Sequence, residues 1–185
     1  MTTAFHPLHK RLLALAMALL ATTWLASCAG PQLADHAGER PVFDLQQYFT
    51  GDVRAYGLVS DRSGKVLRRF VVTLRGDWVG NQGTLNEQFV YDDGERQQRI
   101  WHLQRLDNGR YTGTADDVVG VAEGAQNGSA FNWHYTLSLP VDGRVYEVQF
   151  DDWMHLIDER TVINKATMSK WGLRLGEVTL SFTKL

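Results

Sequence analysis

The sequence specifies an all-β protein: an antiparallel up-and-down meander of about 8–10 strands closing into a barrel, with one short N-terminal helix ahead of it. Three observations predict this. Segments of alternating apolar and polar residues follow one another from Asp52 to the C-terminus. Asp-Gly or Asn-Gly separates many of them, at Asp93-Gly94, Asn108-Gly109, Asn127-Gly128 and Asp142-Gly143, the strongest short-range hairpin signals. Helical periodicity in the body of the chain is confined to the stretch after Phe43. Closing such a meander removes its sheet edges. A twisted open sandwich would use the same strands, and turn spacing does not separate the two.

Residues 1–27 read as a secretory leader. His9-Lys10-Arg11 supplies a basic start, Leu12 to Ala26 is an uncharged apolar run, and small residues precede a cleavage point. The run is too short for a membrane span. Leu25-Ala26-Ser27-Cys28 resembles the bacterial lipobox, in which the thiol is acylated and the chain is cut before the cysteine. Cys28 is the single cysteine, so no intramolecular disulfide can form. A buried structural cysteine is the plainer alternative. Several acyl chains on one residue would anchor the protein firmly. Ala29 at the next position implies the inner leaflet of an outer membrane, facing the periplasm. Residues 28–41 are polar and Gly/Pro-punctuated, which predicts a flexible tether. Residues 42–185 form the barrel domain.

Val42 to Gly51 predicts a helix, with Asp44 as N-cap, Gln47 as its capping-box partner and Gly51 as the stop. Leu45, Tyr48 and Phe49 make one apolar side, suited to plugging a barrel end. The strands expected are Asp52–Ser60, Lys65–Arg75, Trp78–Tyr91, Glu95–Leu106, Arg110–Val118, Val119–Ala125, Ala130–Leu139, Arg144–Ile157, Thr161–Lys170 and Leu173–Thr183. Gly76-Asp77 is expected as a turn among them.

Alternation assigns an interior. Tyr146, Val148, Phe150, Met154 and Leu156 share a face, and Asp152 falls among them. Phe70, Val72 and Leu74 share theirs with Arg68; Leu85, Phe89 and Tyr91 with Glu87; Trp101 and Leu103 with Arg99. Val162, Ala166 and Met168 share one with Asn164 and Lys170. Phe131, Trp133, Tyr135, Leu137 and Leu139 form a face without charge. Arg68, Glu87, Arg99 and Asp152 are each the odd charge on an oily face and need a partner or a purpose. Arg99 is expected opposite Phe89 and diagonal to Glu87, within reach of an ion pair. Two readings follow: a satisfied buried network that binds nothing, or an arginine held by acids to take a ligand carboxylate or phosphate.

Other chemistries find little support. The formal charge of −2 and the absence of a Lys/Arg cluster argue against nucleic acid. His102, His134 and His155 fall on polar or mixed faces, and no metal-ligand spacing, nucleophile elbow, P-loop or dinucleotide fingerprint occurs. Gly120 to Gly124 is Gly-rich but has no helix after it to hold phosphate. No metal and no cofactor is expected.

Phe43 to Gly51, Asn86 to Gly94, Arg99-Ile100-Trp101, Tyr111 to Gly124, Phe150 to Met154 and Asn164 to Gly172 together resemble the bacterial lipoproteins grouped as domain of unknown function 3833. The resemblance spans residues 42–185 and implies a lipocalin-like barrel, with no activity or residue role attached. The leading expectation is an envelope-anchored barrel binding a fatty acid or similar hydrophobic anion, lined by Arg68, Glu87, Arg99, Trp101, Phe131, Trp133, Tyr135, Phe150, Asp152 and Met154. The alternatives are a filled barrel docking a partner through Trp78 and Trp153, and an enzyme using Asp152 as acid or base.

Overall fold

Ten antiparallel strands close on themselves in the computed structural model, which describes residues 30–141 and 143–185. Cys28 and the leader lie outside the described residues. The strands are β1 (Gly51–Asp61), β2 (Val66–Val79), β3 (Gln82–Tyr91), β4 (Arg96–Arg105), β5 (Arg110–Thr114), β6 (Ala122–Asn127), β7 (Ala130–Val141), β8 (Arg144–Leu156), β9 (Thr161–Lys170) and β10 (Leu173–Lys184). Each pairs with its sequence neighbours, and β1 pairs with β10 from Val53↔Lys184 to Asp61↔Gly176. The fold is therefore a lipocalin-like barrel and not an open sandwich.

The pleat turns alternation into an inside and an outside. Phe70, Val72 and Leu74 are buried while Val71, Thr73 and Arg75 are exposed, and β8 repeats this with Val148, Phe150 and Asp152. Three expected boundaries move. Gly76-Asp77 is not a turn: β2 runs on to Val79, so Trp78 ends one strand instead of starting the next. The glycine there serves close approach, because a Cβ on Gly76 would lie 1.6 Å from the Phe49 carbonyl oxygen. Arg110–Val118 and Val119–Ala125 are also shorter than expected. β5 stops at Thr114 and β6 starts at Ala122, leaving a loop whose Val118 makes an isolated bridge to Leu137.

One end of the barrel is sealed. The helix α1 spans Leu45–Tyr48, shorter than expected, and the Gln47 backbone N–H donates to the Asp44 side chain at 2.9 Å, capping it as foreseen. Phe43, Leu45, Tyr48 and Phe49 are all buried, with Phe49 edge-on to Phe182 at 5.5 Å between centroids. The Tyr48 hydroxyl donates to the Arg160 carbonyl at 2.9 Å, and the Lys184 ammonium donates to the carbonyls of Gln47, Tyr48 and Thr50 at 2.8–3.0 Å.

The segment read as an aperiodic tether carries structure in its middle. Leu33–His36 forms a 3-10 turn against β6 and β7. Asn127 Nδ2 donates to the Leu33 carbonyl at 2.9 Å, and the His36 ring lies 5.9 Å from Trp153 and 5.1 Å from His155. These neighbours partly cover the outward-facing Trp153 and His155.

Candidate ligand-binding cavity

The end opposite α1, framed by the β1–β2, β3–β4, β5–β6, β7–β8 and β9–β10 turns, leads into a cavity of about 800 Å³. Ten strands enclose more volume than their inward side chains fill. Arg68, Glu87, Arg99, Trp101, Phe131, Trp133, Tyr135, Phe150, Asp152 and Met154 all line it. The aromatic wall is interlocked. Tyr135 stacks on Phe150 with centroids 5.0 Å apart and planes 6° off parallel, and Trp101 meets Tyr135 and Trp133 edge to face at 5.5 and 5.9 Å.

The charges do not form the single network of four that alternation suggested. They separate into three groups by height in the barrel. Arg68 sits at the mouth, about one-third exposed, over the Tyr91 ring at 3.7 Å. Its guanidinium donates to Asp93 at 2.9 Å and Glu95 at 2.8 Å. Arg99 lies deeper. Glu87 stands directly opposite it in the β3–β4 register, not diagonal, with the two charged groups 3.7 Å apart. The cause is the turn: Tyr91 N–H bonds the Glu95 carbonyl, which sets the register two residues away from the expected one.

Arg99 has a second partner that alternation missed. Asp117, on the β5–β6 loop, accepts from Arg99 Nε at 3.0 Å and from Nη2 at 2.7 Å, a bidentate fork. The Ser138 N–H in turn donates to the Asp117 carbonyl at 2.8 Å, holding the loop against β7. The signal available in the sequence was the Asp116-Asp117 doublet inside a segment of poor strand character.

Asp152 forms the third group and touches neither arginine. The Tyr135 hydroxyl donates to its Oδ2 at 3.0 Å, and Asn164 Nδ2 donates to its Oδ1. Asn164 also donates to the Trp153 carbonyl at 3.1 Å. Asn164 shares the inner face of β9 with Val162 and Ala166, which is the sequence signal that marked it.

Burial sets the protonation of these groups. It pushes the Glu87 carboxyl up to about 7, Arg99 pulling the other way and Asp117 adding to the rise. It pushes Asp152 up to about 6 against the hydrogen bonds from Asn164 and Tyr135. Burial opposes the charge on Arg99 too, but the Asp117 hydrogen bonds and the Glu87 and Asp117 charges hold its pKa above the usual value. The interior cation is thus permanent, and Glu87 gains or loses its proton near neutrality.

This makes a stability prediction with a definite sign. A folded-state pKa raised from 4.5 to about 7 gives Glu87 a contribution that is complete below pH 4.5 and lost as pH rises through 7. Glu87→Gln removes that loss. It should be more stable than wild type at pH 8, by at most about 3 kcal/mol, and indistinguishable at pH 4. Denaturant titrations at the two pH values measure the difference; equal stability at both would refute the assignment.

A closed ten-stranded barrel, sealed below and hollow above, defines the class as lipocalin-like. The family model described as protein of unknown function DUF3833 matches residues 22–184, and the chain belongs to that family. No curated protein matches it. Among solved structures it is similar to an S-type phycobiliprotein lyase, CPES, from Guillardia theta. That likeness has a TM-score of 0.55 and 9% identity over 83% of this chain and 96% of the other. It is also similar to a protein of unknown function from the DUF3598 family of Nostoc punctiforme. There the TM-score is 0.54 with 11% identity over 85% of this chain, which spans 53% of the other. At these identities the likeness concerns the fold.

Proposed function

We propose that the barrel binds one small hydrophobic molecule with an acidic head, a fatty acid or close relative. We further propose that lipid on Cys28 holds the chain at the periplasmic face of an outer membrane. The observation that carries the ligand reading is the cavity: about 800 Å³, walled by Trp101, Trp133, Tyr135 and Phe150, with Arg99 inside it. That volume falls in the range of small-molecule sites. It also counts against the filled-barrel alternative.

Arg99 is already paired, so an incoming carboxylate must take a carboxylate's place. Asp117 offers that exchange. It sits on a loop instead of a strand and presents the same two oxygens a ligand head would. Protonation of Glu87 then leaves Arg99 facing one anion instead of two. Affinity for a carboxylate ligand should therefore rise as pH falls from 8 to 6, because Glu87 titrates at about 7.

A fluorescent fatty-acid analogue, displaced by unlabelled fatty acid, tests the proposal. Asp117→Asn should tighten the analogue by roughly fivefold to tenfold, since it frees the fork without removing the cation. No saturable binding by wild type at any pH, with no lipid found in gently extracted protein by mass spectrometry, would reject the reading.

A further inference from the structure

The open rim has two unlike halves. The β3–β4 and β5–β6 tips carry Asp92, Asp93, Glu95 and Asp116 against Arg96. The β1–β2, β9–β10 and β7–β8 tips, contiguous around the barrel, carry Arg62, Lys65, Arg174, Lys170 and Arg144. Between these cations stand large apolar side chains in the open: Trp171 at 85% exposure, Leu173 and Val145 at 68%, Leu67 at 57%. Val141 belongs to the same half and also lines the cavity, so the exposed apolar surface continues into the apolar interior.

Trp171 is the most telling of these. It occupies a two-residue turn with Gly172 between the paired Lys170 and Leu173, at φ 52°. Asn, Asp or Gly suits that position, and a bulky residue at positive φ is an outlier that points to function. The Lys170 ammonium lies 4.9 Å from its ring centroid and 5.1 Å from that of Tyr146. An aromatic ring flanked by cations fits the interface of a bilayer.

We propose that this half of the rim docks on a lipid bilayer with anionic head groups, placing the cavity mouth where an amphiphile can enter or leave. The site of entry rests on the ligand reading above; the docking itself does not. Charge supports the choice of partner. Nearby, Asp61 is turned into its own loop, accepting from Ser63 at 2.6 Å, and Glu177 is held by Lys165 at 3.1 Å and by Arg174. Among the described residues Glu147, further down the outer face of β8, is exposed, and the sequence sets Asp142 in the β7–β8 turn, so Arg62, Lys65, Lys170, Arg174 and Arg144 still outnumber the acids of this sector.

The test uses the full chain with phosphatidylcholine vesicles, with and without added phosphatidylglycerol. Hydrogen–deuterium exchange should slow at residues 141–146 and 170–175 on the acidic vesicles and stay unchanged on the neutral ones. The leader's own membrane affinity is common to every variant and does not affect this readout. Trp171→Asn with Leu173→Ser should abolish the protection and lower rim-dependent vesicle binding about tenfold. It should still fold, since Asn relieves the turn. Unprotected tips, equal protection on both vesicles, or an unaffected double variant would each overturn the docking. The same variant should bind the fatty-acid analogue normally in vesicle-free buffer; loss of analogue binding by wild type would sink the ligand reading alone.

Discussion

Arg99→Met is expected to weaken binding of a fatty-acid analogue about 100-fold, the scale of a lost charge-assisted pair in a desolvated site. It is also expected to lower stability at pH 8 by about 2 kcal/mol. The two losses have different origins. Binding fails because the interior cation is gone. Stability falls because Glu87 and Asp117 lose the guanidinium between them, 3.7 and 2.7 Å away. The stability loss is smaller than for a fully buried pair, since Glu87 can take up a proton and Asp117, about one-third exposed, can turn to water. Adding Glu87→Gln to Arg99→Met should recover most of the stability and none of the binding. Denaturation and probe titration on the single and double variants separate the two. Recovery of binding in the double variant would show that Arg99 is structural.

Gly76→Ala should be the most disruptive single methyl in the barrel wall. The added carbon would lie 1.6 Å from the Phe49 carbonyl oxygen and 2.8 Å from its carbon. Neither side can yield easily. Gly76 is paired in the sheet with Gly51 and Leu85, and Phe49 is fixed by its own N–H bond to Leu45 and by the Lys184 ammonium on the neighbouring carbonyls. The cost should be 3 kcal/mol or more, roughly 10 °C in Tm for a domain of this size. Thr73→Ala, on the outer face of the same strand, is the control and should shift Tm by less than about 3 °C. A Gly76→Ala protein melting like wild type would mean that α1 does not press on the wall.

Most of the interior was legible because its grammar is local. A strand turns its side chains in and out at period two whatever its partners are, so Phe70, Trp101, Trp133 and Phe150 could be assigned inward from their own neighbours. Parity gives a face but not a height. That is why Arg68 shares the inner side of β2 with Phe70 and yet ends at the mouth on Asp93 and Glu95 instead of in the interior. Gly76 shows a second limit: one residue type serves both turns and close approaches, and only the position of Phe49 distinguishes them. The Arg99–Asp117 fork shows a third. It joins β4 to the β5–β6 loop, itself held against β7 by the Ser138 N–H, so it exists only once those elements have come together. Whether the middle is hollow depends on the sum of side-chain volumes against barrel radius, which no stretch of sequence carries by itself.

The pairing of β1 with β10 ties the beginning of the domain to its end. Val53 meets Lys184, and the Leu185 N–H reaches the Asp52 carbonyl at 3.0 Å, so the final residues complete both the ring and the seal beneath it. Without β10 the other nine strands can form hairpins but cannot close the ring, and two margins stay bare. Shutting the ring then requires a contact spanning nearly the whole domain, the slowest kind of step for a chain to find. A protein lacking its last dozen residues would be left with those margins open and prone to pair with other copies.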